Sequence, residues 1–251
     1  VLLTVDVGNT NTVLGLFDGE ELFESYRINT DRRVTADELM LKFRGLLAAH
    51  AAPDGVAVCS TVPSVQNELR IMFDRYFADV PTIVVGPGVK TGVPLLYDNP
   101  REVGPDRVVN TLAAHTLYGG PAIVVDFGTS TNFDVVSAKG EFLGGALAPG
   151  IEISVDALAQ RAARLFQVEL VPPRSVIGKT TAEALQSGLL FGFAGQVDGM
   201  VQRITDELGE DPVVIATGGL SHLMATVCDS LDHHEPDLTL VGLRLVFERN
   251  L

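Results

Sequence analysis

Two short stretches set an acid beside a glycine and a run of amide or hydroxyl side chains. They are Asp6-Val7-Gly8-Asn9-Thr10-Asn11-Thr12 and Asp126-Phe127-Gly128-Thr129-Ser130-Thr131. Asp6 lies near the end of a short apolar run of buried-strand type at 2–7, and Asp126 follows another at 122–125. Gly8 can take a positive φ and carries no side chain to block a ligand. Successive N–H groups and the hydroxyls of Thr10 and Thr12 can donate to an anion. Asp6 can hold a metal ion or its waters beside that anion. This is the chemistry of a phosphate and its cation at a strand end. An ordinary hairpin turn would use similar residues, so the recurrence carries the weight. Each copy has a strand before the acid and a hairpin after it, marked by Gly19-Glu20 in one and Gly140-Glu141 in the other. Such a duplication at domain scale predicts two similarly folded lobes, each offering a strand-end turn to one cleft.

A third group is Gly104-Pro105-Asp106-Arg107, at the end of an irregular stretch with Pro94, Tyr97 and Pro100. Loops on a rigid scaffold are where ligand groups usually sit. An acceptor hydroxyl needs a carboxylate in hydrogen-bond reach to take its proton, and Asp106 is the best candidate. Arg107 would keep it ionised or clamp an acidic substrate. The alternative is a helix N-terminal acid followed by a surface arginine. Two facing acid-glycine-threonine turns and a loop carrying Asp106 and Arg107 fit phosphoryl transfer, where catalysis is mostly positioning and electrostatics, with metal bridging the phosphates.

Other chemistries lack their residues. The one Gly-Lys-Thr, at 178–180, has Pro173 where a Walker loop needs glycine. No G-x-G-x-x-G opens a helix after a strand. The histidines sit in contexts that suit structural or solvated roles: His115 in a helix, His222 near Thr217, His233-His234 in a polar loop. Cys59 and Cys228 lie far apart and read as reduced, buried thiols.

Elements that would position these groups can be read along the chain. Strands are expected at 13–17 and 20–28, joined by Asp18-Gly19. A helix is expected over 36–49, where Leu39, Met40, Phe43, Leu46 and Leu47 recur at helical spacing. A strand at 56–60 follows, then a helix capped by Ser64. A strand at 81–85, a loop through 89–106 and a helix at 107–117 complete the first half. In the second, the glycine-rich 144–150 either brings backbone to a ligand or ends a strand. Helices are expected over 151–166 and 181–208. Gly188, Gly192 and Gly195 in the latter predict tight helix contact, with a second subunit as one partner. A strand at 213–216 precedes Thr217-Gly218-Gly219, a turn that could present a helix at 220–228 to a nucleoside or its phosphates. A last helix spans 239–248.

The 251 residues suffice for two lobes of about 120 residues. Eighteen basic against 32 acidic side chains give −14, which disfavours a nucleic-acid or acidic-lipid surface. Backbone N–H groups can still bind a nucleotide in such a protein. The first apolar run is too short for a signal peptide or membrane span, so the chain reads as soluble and cytoplasmic.

In order, D-x-G-N-T at 6–10, Tyr97, G-x-D-R at 104–107, D-F-G-T at 126–129, G-G-x-x-x-P-G at 144–150, I-G-K-x-T at 177–181 and T-G-G at 217–219 run nearly end to end. In this the chain resembles the type III pantothenate kinases, of the actin-like superfamily that includes acetate and sugar kinases and chaperone ATPases. The resemblance implies an α/β fold of two ribonuclease-H-like lobes, 1–115 and 116–251, with mixed sheets flanked by helices and a cleft between them. It implies ATP-dependent phosphorylation of pantothenate, the first committed step towards coenzyme A. Asp6, Val7, Gly8, Asn9, Thr10, Asn11, Thr12 and Val13 resemble the ATP phosphate segment, with Asp6 near magnesium, and Thr129 a second ATP contact. Tyr97, Gly104, Pro105, Asp106, Arg107 and Thr181 resemble the pantothenate contacts, with Asp106 the proton acceptor. Asp126 resembles the ligand of a monovalent cation, potassium or ammonium. The resemblance also implies a homodimer. One departure is Ser130-Thr131-Asn132, where the family usually has small and hydroxyl residues. Asn132 keeps hydrogen-bonding capacity but changes shape beside the phosphates. A rival reading is a nucleotide-binding regulator or assembly ATPase without a metabolite acceptor.

Overall fold

The computed structural model describes residues 1–161 and 168–251. In chain order its elements are β1 (Leu2–Val7), β2 (Asn11–Asp18), β3 (Glu21–Asn29), α1 (Ala36–Leu47), β4 (Gly55–Ser60), α2 (Pro63–Tyr76), β5 (Thr82–Val84) and α3 (Pro105–Tyr118). There follow β6 (Ala122–Phe127), β7 (Ser130–Val136), β8 (Phe142–Pro149), α4 (Ile151–Arg161), α5 (Thr181–Leu208), β9 (Val213–Thr217), α6 (Ser221–Met224), β10 (His233–His234) and α7 (Leu238–Glu248).

The duplication is realised as two five-stranded mixed sheets of one design. The first runs β3-β2-β1-β4-β5, the second β8-β7-β6-β9-β10. In each, an antiparallel hairpin meander sits beside two parallel strands, with the acid-bearing strand at the centre. Asp6 and Asp126 occupy equivalent places near the ends of β1 and β6.

Alternation along the strands decides which face each side chain takes. Leu3, Val5 and Val7 join Leu14, Leu16, Val56 and Val58 in a core closed by Leu39 and Phe43 of α1 and Leu69, Met72 and Phe73 of α2. The opposite face of that sheet carries Thr4, Asp6, Ala57 and Cys59, and α7 packs on it against β1 and β4. Phe247 lies over Gly55 so closely that a Cβ there would stand 2.2 Å from the ring. Thr239 Oγ1 donates to Asn110 Oδ1 at 2.8 Å, tying α7 to α3. In the second sheet Ile123, Val125, Phe127, Phe133, Val214 and Ala216 form a core with Leu190, Ala194 and Val197 of α5.

Two compact units result: Val1–Val93 with Asp98–Ala113 and Leu238–Leu251, and Pro94–Tyr97 with Ala114–Asp237. The expected division, 1–115 and 116–251, differs chiefly at the C-terminus, which belongs with the first unit. A sheet of this kind must be covered on both faces, and α7 supplies the second cover for β1 and β4.

Several local expectations are revised. Ser64 is not an N-cap: that place is Val62, and α2 starts two residues earlier than expected, at Pro63, whose missing N–H suits a first helical position. The irregular stretch contains a 3-10 turn at Pro100–Glu102, and Pro105 rather than Arg107 begins α3. Gly144 and Gly145 lie inside β8, and a Cβ at Gly145 would meet the Phe133 carbonyl oxygen at 1.7 Å. The helix expected over 220–228 is one short turn, α6. His233-His234 is a two-residue strand paired to β9, with His234 Nε2 2.9 Å from Ser221 Oγ. A Cβ at Gly188, Gly192 or Gly195 would meet nothing within 4 Å, so the tight contact expected of α5 is not made there within the described residues. The last part of the helix expected over 151–166 lies outside the described residues. Among those residues no helix is long and apolar enough to cross a membrane.

Candidate active site

In the first unit the expected phosphate turn is held by the chain leaving β3. Gly8 N–H donates to Asn11 O at 2.9 Å, Thr30 N–H to Thr10 O at 2.9 Å, and Thr30 Oγ1 to Gly8 O at 2.8 Å. Arg32 Nη2 donates to Asn9 Oδ1 at 2.9 Å. Asn9 and Thr10 stay exposed. Thr12 is buried with its hydroxyl 2.9 Å from Thr30 Oγ1, so it braces the turn instead of facing an anion as expected. Gly8 does not use a positive φ; its role is spatial, since a Cβ would crowd Asn11 O at 3.2 Å. Val13 is the cross-strand partner of Asp6.

Asp6 has Cys59 as its neighbour on β4, and Cys59 Sγ donates to its Oδ1 at 3.2 Å. Burial, then the charge of Asp106, pushes the Asp6 carboxyl up to about 7, against smaller opposing effects of Cys59 and Arg27. Burial and the same two acids hold the Cys59 thiol well above its usual range, so it remains a donor. Asp106 stands in the first turn of α3. Burial raises its pKa, outweighing the Arg107 backbone N–H and guanidinium, so Arg107 does not set its ionisation as expected. Asp106 Oδ1 is buried and has no hydrogen-bond partner. A Cβ at Gly104 would stand 2.4 Å from that oxygen, so only glycine leaves Asp106 its position. Pro105 starts the helix, and Arg107 is itself buried.

Two carboxylates in a low dielectric, one with an orphaned oxygen, fit a site completed by a cation and a hydroxyl. Among the described residues no group of three or more His, Cys, Asp and Glu can hold a metal. Magnesium keeps several waters and takes one or two carboxylates together with substrate phosphates.

In the second unit Asp126 is fixed by the turn after β9. Gly218 has φ +91°, and a Cβ on it would stand 2.3 Å from Asp126 Oδ1 and 2.7 Å from Phe127 N. The T-G-G turn therefore packs on the acid, where a nucleoside contact at a helix N-terminus was expected. The D-F-G-T turn closes by Gly128 N–H to Ser130 O at 3.0 Å, and Gly150 N–H donates to Thr129 O at 3.0 Å. Residues 94–97 run beside β8 through Leu96 N–H to Phe142 O and Phe142 N–H to Pro94 O, both 2.9 Å. This sets the Tyr97 ring 5.9 Å from that of Phe142. Thr181 is the first residue of α5, exposed beyond the Thr180 cap. Thus Asp6 to Val13 and Gly104 to Arg107 come together in one unit, and Tyr97, Asp126, Thr129 and Thr181 belong to the other. Sequence reading missed Cys59, Thr30, Arg32 and Gly218 as supports. Of these only Cys59 lies in a strand expected from sequence, 56–60, and its place beside Asp6 comes from the structure.

The repeated mixed sheet, with an acid-glycine turn ending each central strand, is a fold shared with solved kinases. The ROK hexokinase of Thermus thermophilus shares the fold at a TM-score of 0.53, with 15% identity over 99% of this chain and 98% of that one. The type III pantothenate kinase family matches residues 2–203. The type III pantothenate kinase of Frankia alni is 64% identical over the whole of both chains, and that of Salinispora arenicola 64% over 252 aligned residues, again the whole of both. The chain belongs to the type III pantothenate kinase family.

Proposed function

We propose that this chain transfers the γ-phosphoryl group of ATP to the hydroxyl of pantothenate, giving 4'-phosphopantothenate and ADP on the way to coenzyme A. The observation that supports it most directly is Asp106 Oδ1, a buried acceptor lacking a donor at the start of α3. The pantothenate hydroxyl would supply that donor. As its oxygen bonds to phosphorus and the bond to ADP breaks, its proton passes to Asp106. A carboxyl raised by burial receives a proton more readily near neutral pH than an exposed one.

The segment from Asp6 through Val13 holds the phosphates at its exposed turn, Asn9-Thr10, and Thr129 makes a second ATP contact. Asp6 holds magnesium, directly or through water. When bound, the divalent ion neutralises charge on the phosphates. Asp126 holds the monovalent cation. Arg107 pairs with the pantothenate carboxylate, and Tyr97, Gly104, Pro105 and Thr181 shape the acceptor site. A second copy covers the glycine face of α5, and the enzyme works in the cytoplasm.

ADP release measured with pantothenate, acetate, glycerol and hexoses, in potassium and magnesium, tests the reading. Turnover is expected with pantothenate alone. Release independent of acceptor would point instead to an assembly ATPase, and turnover on a hexose to a sugar kinase.

A further inference from the structure

Asp126 has one neighbour on each side across the second sheet: Asn132 on β7 and Thr217 on β9. Directly paired residues send their side chains to the same face, with Cβ atoms about 5 Å apart. Asn132, Asp126 and Thr217 therefore stand abreast on one face, with an amide, a carboxylate and a hydroxyl. Asn132 is 8% exposed, and its Oδ1 is buried without a hydrogen-bond partner. An amide oxygen only accepts, so it needs a donor or a cation. A cation between that oxygen and the Asp126 carboxylate on the next strand would satisfy the amide. Thr131 Oγ1 is also buried and unpartnered, but alternation sends it to the other face.

The first sheet supplies the internal contrast. There the equivalent acid, Asp6, is flanked by Val13 and Cys59. One is apolar, and the other donates its thiol proton to Asp6. The two acids of the repeat thus have opposite surroundings, and only the second stands in a row of oxygens. Neutral oxygens flank the Asp126 carboxylate on both neighbouring strands, in keeping with the oxygen preference of hard cations, and the next acid on that face, buried Asp134, stands opposite Val124. Gly218, pressed on Asp126 Oδ1, fixes the carboxylate from the third side.

We propose that the Asn132 amide oxygen is a ligand of the monovalent cation held by Asp126, with the Thr217 hydroxyl beside it. This rests on the reading of Asp126 as that ion's ligand.

The test reads binding, not turnover: thallium(I), a potassium mimic, titrated by thallium NMR, with the potassium-induced rise in Tm as a second measure. The proteins are wild type, Asn132→Leu, Asn132→Asp and Asp126→Asn, each checked for folding in sodium-free, potassium-free buffer. Wild type is expected to bind, and Asn132→Leu to bind at least tenfold more weakly. Asn132→Asp keeps the oxygen and adds charge, so it is expected to bind more tightly. Wild-type affinity in Asn132→Leu overturns the proposal. If that variant fails to fold, weaker binding by Asn132→Asp overturns it instead. No response in wild type, or an undiminished one in Asp126→Asn, removes the reading of Asp126 itself.

Discussion

Replacing Asp6 by Asn isolates the electrostatic cost of placing that acid beside Asp106. The amide is nearly isosteric and keeps an oxygen to accept from Cys59. In the folded protein Asp6 titrates at about 7, against an ordinary 3.8. Below 3.8 the carboxyl is protonated folded or unfolded, and its burial carries no charge penalty. Between those values the unfolded chain ionises while the folded one stays neutral. Folding then takes up a proton, and stability falls as pH rises, by about 1.4 kcal/mol per pH unit. Above about 7 both states are ionised and the full penalty, about 4 kcal/mol, is in place. Urea unfolding of both proteins without nucleotide or metal, from about pH 4 to 8, reads this directly. Asp106 titrates in both, so subtracting the curves removes most of its effect. Asp6→Asn should gain on wild type steadily between about pH 4 and 7, then hold a constant lead. Parallel curves across that range would refute the argument that burial and Asp106 load Asp6.

Other perturbations address separate parts of the account. Asp106→Asn should lower kcat by about 100- to 10,000-fold with ATP affinity unchanged in a direct binding titration; normal turnover would remove Asp106 as proton acceptor. Gly104→Ala puts a methyl where Asp106 Oδ1 stands, and kcat should fall while urea stability drops by less than it does in core variants. Gly218→Ala combines a left-handed backbone with contact on Asp126 and Phe127. It should lose about 2–4 kcal/mol in urea unfolding. Phe247→Ala empties the space over Gly55 and should cost about 3–5 kcal/mol; a near-neutral result would mean that α7 does not complete the first unit.

The fold is legible where a residue pattern has one geometric meaning. Strict apolar–polar alternation is not needed to find β1 or β6. Apolar runs ending in D-x-G, each followed by a hairpin glycine, mark the duplicated strands on their own. The helical spacing of Leu190, Val197 and Val201 likewise marks α5. What stays hidden depends on tertiary neighbours. Nothing in residues 238–251 says which sheet α7 covers, and a T-G-G turn looks alike whether it meets a nucleoside or packs on an acid. Thr12 reads as a phosphate donor until Thr30, 18 residues on, occupies its hydroxyl. The ionisation of Asp106 is hidden for a related reason: the charge of Arg107 is visible in sequence, whereas burial is not.

Proton-decoupled phosphorus NMR of the purified protein with ATP, pantothenate, magnesium and potassium tests the central claim most directly. A new phosphomonoester resonance on pantothenate is expected, growing in step with ADP and at least about 100-fold more slowly in Asp106→Asn. Growth of ADP with inorganic phosphate alone, or unchanged ATP, would contradict it.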